Sequence, residues 1–328
     1  MRKARAKNDG VGYYHLVSRC AFKKMAFGDE DKSMFVKMLH KVAAFSGIDV
    51  LAYCAMTNHF HVLVHVPRQV ELTESVLLDR LAILYGTTNA SEVKSQWDEY
   101  RRHGWISRVE KEQDMLRRRM GDISPFMQCL KQRFSIWYRS NHEGHEGTIW
   151  QGRFGSTFVE SGEALQAVAA YIELNPVRAK IVSDPESYSW SSYGAAMSGD
   201  RRARLCLTRI YDPTATKQNF AKFADQYRQL LYYKGAGDIL DTETVKQILR
   251  NHGKLPMPMV LRCKIRHFTH GFAIGSKEFV SAMISKYSEY FSEDRRSDAW
   301  GIGACKDWNG FRICSARRLQ KDPITIPE

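Results

Sequence analysis

A chain of 328 residues with 44% hydrophobic and 26% charged residues has ordinary globular composition. This excludes disordered and collagen-like chains and leaves length for two compact units, or for one catalytic domain with an extension. Lys and Arg outnumber Asp and Glu by 49 to 36, a formal net charge of +13, of which residues 201–328 carry +10. An enzyme acting on small neutral substrates needs no such excess, so polyanions lead the partner classes. No apolar run approaches the ~18 residues of a membrane span, and the basic start Met1-Arg2-Lys3-Ala4-Arg5 is followed by no apolar segment. The expectation is a cytoplasmic chain with no membrane partner. Its seven cysteines, an odd count without a Cys-x-x-Cys pair, are expected as reduced thiols.

In chain order, residues 12–19 alternate as a strand. A helix is predicted over 29–45 from Met34, Phe35, Met38, Leu39, Val42 and Phe45, with acids in its first turn and Gly47 as its stop. Residues 48–56 and 59–67 then predict two strands joined at Thr57-Asn58. The order strand, helix, strand, strand points to an α+β fold on an antiparallel sheet. Residues 72–120 predict a charged helical insertion, and Ser124-Pro125 opens a helix running through Tyr138. Residues 148–159 have strand composition. Ser161 is placed to cap a helix over 163–174 that ends near Asn175, because Pro176 disfavours helical geometry in its predecessor. A domain boundary is expected near residues 198–204. It separates a catalytic domain, 1–200, from a basic, mainly helical domain, 201–328, with helices at 219–232, 242–251 and 276–291.

Two local motifs can carry chemistry. In a strand, Phe60, Val62, Val64 and Val66 point to one side, while His59, His61, Leu63 and His65 point to the other. Two imidazoles two residues apart can chelate one ion if further ligands join them. Such a pair is more often a couple of histidines on a half-exposed sheet face, which is the reading given to His65. The second motif is Tyr171-Ile172-Glu173-Leu174-Asn175-Pro176. On a helix Tyr171 and Asn175 stand one turn apart on a common face. Taken alone, that tyrosine reads as a packing residue and the asparagine as a helix terminus. Cys54, five residues before His59 and out of phase with it, argues against a structural zinc site.

Together and in this order, the motifs resemble the single-tyrosine HUH transposases related to the insertion-sequence 200 group, specifically the long-chain relatives of the REP-associated tyrosine transposases. Further similarity lies in Leu130-Lys131-Gln132-Arg133-Phe134, in Thr148-Ile149-Trp150-Gln151-Gly152-Arg153-Phe154 and in Tyr188-Ser189-Trp190-Ser191-Ser192-Tyr193, and it extends from about Gly12 to Tyr193. The resemblance implies a ferredoxin-like HUH catalytic domain. It assigns His59, His61 and Asn175 to a divalent metal, Mg or Mn, and Tyr171 as the nucleophile. It also implies cleavage and joining of single-stranded DNA, on hairpin-bearing substrates, through a 5′-phosphotyrosine. The segment from Leu261 to Phe279 looks like the extension of long family members.

Imidazoles suit softer metals than Mg, so Mg or Mn is named by resemblance rather than by ligand softness. For DNA contacts the expectation is Lys131, Arg133, Arg153 and Arg178, with Trp137, Tyr138 and Trp150 as faces for unpaired bases. Glu173 and His65 lie close in sequence to the motifs, but neither is assigned as a base. A homodimer is an admissible assembly. Two rivals stand beside the transposase reading. A rolling-circle initiator or relaxase would use the same site, although no Walker-type loop for a fused helicase is present. A non-catalytic nucleic-acid-binding regulator would have no need of His59, His61, Tyr171 and Asn175 together.

Overall fold

The computed structural model describes residues 6, 11–21, 27–68, 71–144, 147–236, 271–291, 300–301 and 312–314. It is a mixed α+β fold built on β1 (Gly12–Arg19), β2 (Asp49–Ala55), β3 (His59–Val66) and β4 (Gly155–Val159). Three strands from the C-terminal part extend the sheet: β5 (Ala273–Gly275), β6 (Trp300–Gly301) and β7 (Arg312–Cys314). The order is β2-β3-β1-β4-β5-β7-β6, antiparallel except for the parallel pair β4 and β5.

Helices cover both faces. On one lie α1 (Asp29–Ser46), α2 (Glu74–Tyr85) and α5 (Ile123–Asn141), whose Phe35, Leu39, Leu77, Leu81, Phe126 and Phe134 meet Phe60, Val62 and Val64 of β3. On the other lie α6 (Glu163–Glu173), α8 (Ser192–Met197), α9 (Arg201–Tyr211) and α10 (Phe220–Ala236) around Leu51, Ala52 and Leu63. The alternation along β3 therefore holds: on the histidine face His61 and Leu63 are buried under helices, while His59 and His65 are partly exposed. An irregularity between Val50 and Ala52 re-phases β2, so that Leu51 and Ala52 both serve the second face.

Several predicted boundaries follow directly from local chemistry. Gly47 ends α1 in the left-handed region at φ 63°, where a Cβ would also sit 2.5 Å from the Arg80 guanidinium. The insertion comprises α2, α3 (Thr87–Arg102) and α4 (Ile106–Arg117), and its first helix is part of the core. Asp122, rather than Ser124, caps α5 by accepting from Ser124 N, and Gly162 rather than Ser161 precedes α6. Pro176 breaks the helix as expected, leaving α7 (Asn175–Arg178) as a single turn.

The expected boundary at 198–204 falls between α8 and α9, which share one core: Ala196, Ala203, Leu207 and Ile210 pack with Leu51 and Ala52. Beyond it, α10 and α11 (Lys277–Lys286) realise two of the three expected helices, and the third, at 242–251, lies outside the described residues. Ala273 and Ile274 enter beside β4, where Phe158 N donates to Phe272 O and Glu160 N to Ile274 O. The Glu160 carboxylate then accepts from Ser276 N and from Ser276 Oγ, at 2.9 Å for the latter. A Cβ on Gly275 would lie 2.6 Å from the same carboxylate, so the Gly275-Ser276 pair is the docking point of this segment. Cys20, Cys54, Cys129 and Cys206 are free thiols.

Candidate active site

The site lies where α6 crosses the histidine face of the central strands. In β3, His61 is opposite Val17 and His59 opposite Arg19 of β1, near the end of the sheet where Met56 N donates to His59 O and closes the β2–β3 turn. On α6 the apolar stripe Leu165, Val168, Ala169 and Ile172 is buried against the sheet. Packing that stripe brings Tyr171 down beside the histidines. Its ring is 5.8 Å from the His61 ring at 89°, and 6.0 Å from the His15 ring at 74°. The His59 and His61 rings are 5.0 Å apart. Residues 110 positions apart in sequence, His61 and Tyr171, are thus side by side.

Asn175 stands one turn beyond Tyr171 as expected, and its amide is already engaged. Nδ2 donates to Tyr171 O at 3.0 Å and to Ile172 O at 3.2 Å, while Oδ1 accepts from Arg178 at 2.7 Å. It closes the end of α6 and keeps one oxygen lone pair for another partner. The Arg178 guanidinium also lies over the Tyr171 ring, 3.9 Å from its centroid.

Both imidazoles of the pair are held neutral. Burial, then Arg19 and Arg178, bring His59 down to about 4. Burial, then neighbouring His15, His59, Arg178 and Arg19, hold His61 well below its ordinary value. Neutral rings are the form that binds metals. His59 Nδ1 is 2.7 Å from Asn58 Oδ1, an oxygen that only accepts, so Nδ1 carries the hydrogen and Nε2 keeps its lone pair. Among the described residues no cluster of three or more His, Cys, Asp or Glu is built to hold an ion. The donor set fits an ion held by two imidazoles, with its remaining positions open to amide, water or phosphate oxygens.

Cys54 departs from its expected phase. The hairpin register makes it the direct cross-strand partner of His61, so it shares the histidine face. Its thiol meets Met56 Sδ at 3.5 Å, and burial raises its pKa well above the ordinary value, so it offers no thiolate. Glu173 is turned away from Tyr171. Fully buried, it accepts from Ser192 Oγ and from Tyr193 N at 3.0 Å, at the start of α8. His65 stacks on Tyr13 at 4.7 Å and meets Asp49 at 3.3 Å, and Asp49 also pairs with Arg209 of α9. Both groups therefore have structural partners away from the Tyr171 ring.

The expected DNA contacts divide. Lys131 donates to Gly152 O at 2.7 Å, next to exposed Arg153, in a segment whose Gln151 N donates to Arg19 O. Lys131, Arg153 and Arg19 thus gather at the end of β1 that faces His59. Arg133, two positions along α5, points instead to α2, where it donates to Leu84 O and lies over the Tyr85 ring. Trp150 and Tyr138 are core residues around Phe27 and Phe134, and Trp137 is half-buried. The sequence reading passed over two residues. Arg19 is an exposed strand-end charge, and His15 gave no signal beyond its place in an alternating strand.

Residues 11–105 match the family model described as IS200-like transposase. Over this segment the chain is similar to IS200-like transposases. The matched region runs from β1 into the α3–α4 turn and holds His15, His59 and His61; it stops before Tyr171 and Asn175. A solved structure of a REP-associated tyrosine transposase bound to a REP hairpin is similar to the chain with a TM-score of 0.40 and 13% identity, over 61% of this chain and 87% of that one. No curated protein matches the chain. Among the described residues no helix is long and apolar enough to cross a membrane.

Proposed function

We propose that this protein cleaves and rejoins single-stranded, hairpin-bearing DNA through a 5′-phosphotyrosine on Tyr171, with a divalent ion, Mg or Mn, held by His59, His61 and the Asn175 amide oxygen. The observation that supports the reading is the packing of the Tyr171 ring edge-on to His61, across the boundary between β3 and α6.

In this reading the Tyr171 phenolic oxygen attacks the phosphorus, the bond from phosphorus to the 3′ oxygen breaks, and a tyrosyl 5′-phosphate and a free 3′-OH result. The phenol gives up one proton and the leaving oxygen gains one, so no net proton is consumed. The ion, when bound, polarises a non-bridging phosphate oxygen and offsets the charge that grows on it. Asn175 and Arg178 fix the end of α6 and with it the backbone of the nucleophile, through three hydrogen bonds to the Tyr171 and Ile172 carbonyls. The Arg178 guanidinium on the phenol places a positive charge where the phosphate must approach. Lys131, Arg153 and Arg19 extend that charge along the end of the sheet. Reversal with a different 3′-OH joins new strands without an external energy source.

Incubating the full-length protein with labelled hairpin DNA and Mn²⁺, then running a denaturing gel, tests the reading. A downstream fragment linked to the protein through its 5′ phosphate, and an upstream fragment ending in a free 3′-OH, are expected. Cleavage leaving no protein-linked product would exclude the tyrosyl route.

A further inference from the structure

His15 is deeply buried, and its Nε2 lies 3.0 Å from His61 Nδ1. The two residues come from neighbouring strands. His15 is registered with Leu63 and His61 with Val17, so the rings meet diagonally on the helix-covered face and stack with centroids 5.1 Å apart. Both rings also touch Tyr171.

We infer that His15 is a positioning residue: its Nε2 accepts the hydrogen of His61 Nδ1, which fixes His61 in the tautomer whose Nε2 presents a lone pair to the ion. The inference rests on the metal-binding reading of His59 and His61. Its chemistry parallels that of His59, whose Nδ1 hydrogen is fixed by Asn58 Oδ1. With Nδ1 engaged in both rings, the pair offers two Nε2 donors in a common protonation pattern. A ligand imidazole commonly has its second nitrogen tied to an acceptor in this way. Carboxylates and carbonyls are the usual acceptors, and here the acceptor is another neutral imidazole. That choice suits the burial, because a carboxylate at this depth would need its own charge partner.

The contact has a competing explanation, in which His15 and His61 bind one ion side by side. That arrangement would use His61 Nδ1 and His59 Nε2, and would make a three-histidine cluster. No such cluster is built among the described residues.

The test uses full-length protein with ¹⁵N-labelled histidine, the variants His15→Gln and His15→Leu, and Mn²⁺ as the probe. Gln can accept a hydrogen bond through Oε1; Leu cannot. Long-range ¹H–¹⁵N spectra without metal should show His61 protonated at Nδ1 in the wild type and in His15→Gln, with that preference lost in His15→Leu. Mn²⁺ titrations followed by EPR should show affinity about 10- to 100-fold weaker in His15→Leu and largely retained in His15→Gln. His61 protonated at Nε2 in the wild type overturns the inference. So does equal loss of Mn²⁺ affinity in both variants, which would make His15 a ligand. A wild-type protein that binds no Mn²⁺ overturns the metal reading itself, and is recognised because the variants would then match it. The wild-type tautomer needs no variant, so the inference stays decidable even if His15→Leu does not fold.

Discussion

Tyr171 and Glu173 are two residues apart on α6 and point to different neighbours. The Tyr171 ring lies against His61 and His15, while the Glu173 carboxylate is buried against Ser192 and Tyr193 at the start of α8. Two positions on a helix are about 200° apart, so one short segment supplies both the candidate nucleophile and a structural anchor.

The first prediction concerns the phenol. Tyr171→Phe keeps the ring that packs under Arg178 and loses only the hydroxyl. Covalent adduct on a hairpin substrate should fall by at least ~10³-fold, on the scale of losing a reacting group, with the melting temperature and Mn²⁺ affinity near wild type. An undiminished adduct would move the nucleophile elsewhere.

A second prediction separates the three histidines of β3. His59→Ala and His61→Ala should each lose Mn²⁺-dependent cleavage. His65→Ala should keep it and instead lose about 1–2 kcal/mol of stability, because its ring stacks on Tyr13 and bonds Asp49. Paired gel assays and urea melts give both readouts, and an equal loss of cleavage from all three variants would draw His65 into the site.

The third prediction is a pH dependence of stability. Burial raises Glu173 from 4.5 to about 7, against the hydrogen bonds from Ser192, Tyr193 N and Ser191 that lower it. The folded chain therefore keeps this proton over a range in which the unfolded chain has lost it. The stabilisation is fully present below pH 4.5 and is lost as pH rises to about 7, by on the order of 3 kcal/mol. Glu173→Gln cannot ionise. The wild-type stability minus that of Glu173→Gln, from urea melts between pH 4.5 and 8, should therefore fall towards neutrality and then level. A flat difference would mean that the carboxyl ionises normally.

These residues also show what sequence can and cannot carry. Local period and punctuation were enough for β1, α1 and β3: alternation set the histidine face and Gly47 set the end of α1. The spacing of Tyr171 and Asn175 was readable because helical geometry is local. The His15–His61 contact was not, because it depends on strand register, which composition leaves open. For the same reason Cys54 landed opposite His61 against its apparent phase. Lys131 and Arg133 looked alike as neighbouring charges, but helical rotation sends one towards Gly152 and the other towards Leu84. The three-residue strand β5 carries too little pattern to be recognised without the β4 edge that it pairs with.

The last prediction concerns the basic C-terminal part. Its charge suggests a separable DNA-binding role, and deleting residues 204–328 would at first sight be expected to weaken DNA binding and flatten its salt dependence while sparing the catalytic fold. The packing argues otherwise. The deletion removes buried Leu207, Ile210, Phe220, Tyr227 and Leu231 from the core that contains Leu63 and Tyr171. It also removes Ile274 from that core, strips Ala273, Val280, Met283 and Ile284 from the other, and leaves β4 as an open edge. At about 1.5–3 kcal/mol for each large buried side chain, the loss exceeds the ~5–15 kcal/mol by which a domain is normally stable. Residues 1–203 alone should therefore show no cooperative thermal melt and should lose hairpin cleavage together with binding. Charge-reducing substitutions at exposed Arg201 and Arg202 in the full chain, by contrast, should leave the melt unchanged. A cooperative melt for the truncated chain would show that the sheet and α6 hold without α9, α10 and β5, and would restore the separable-domain reading.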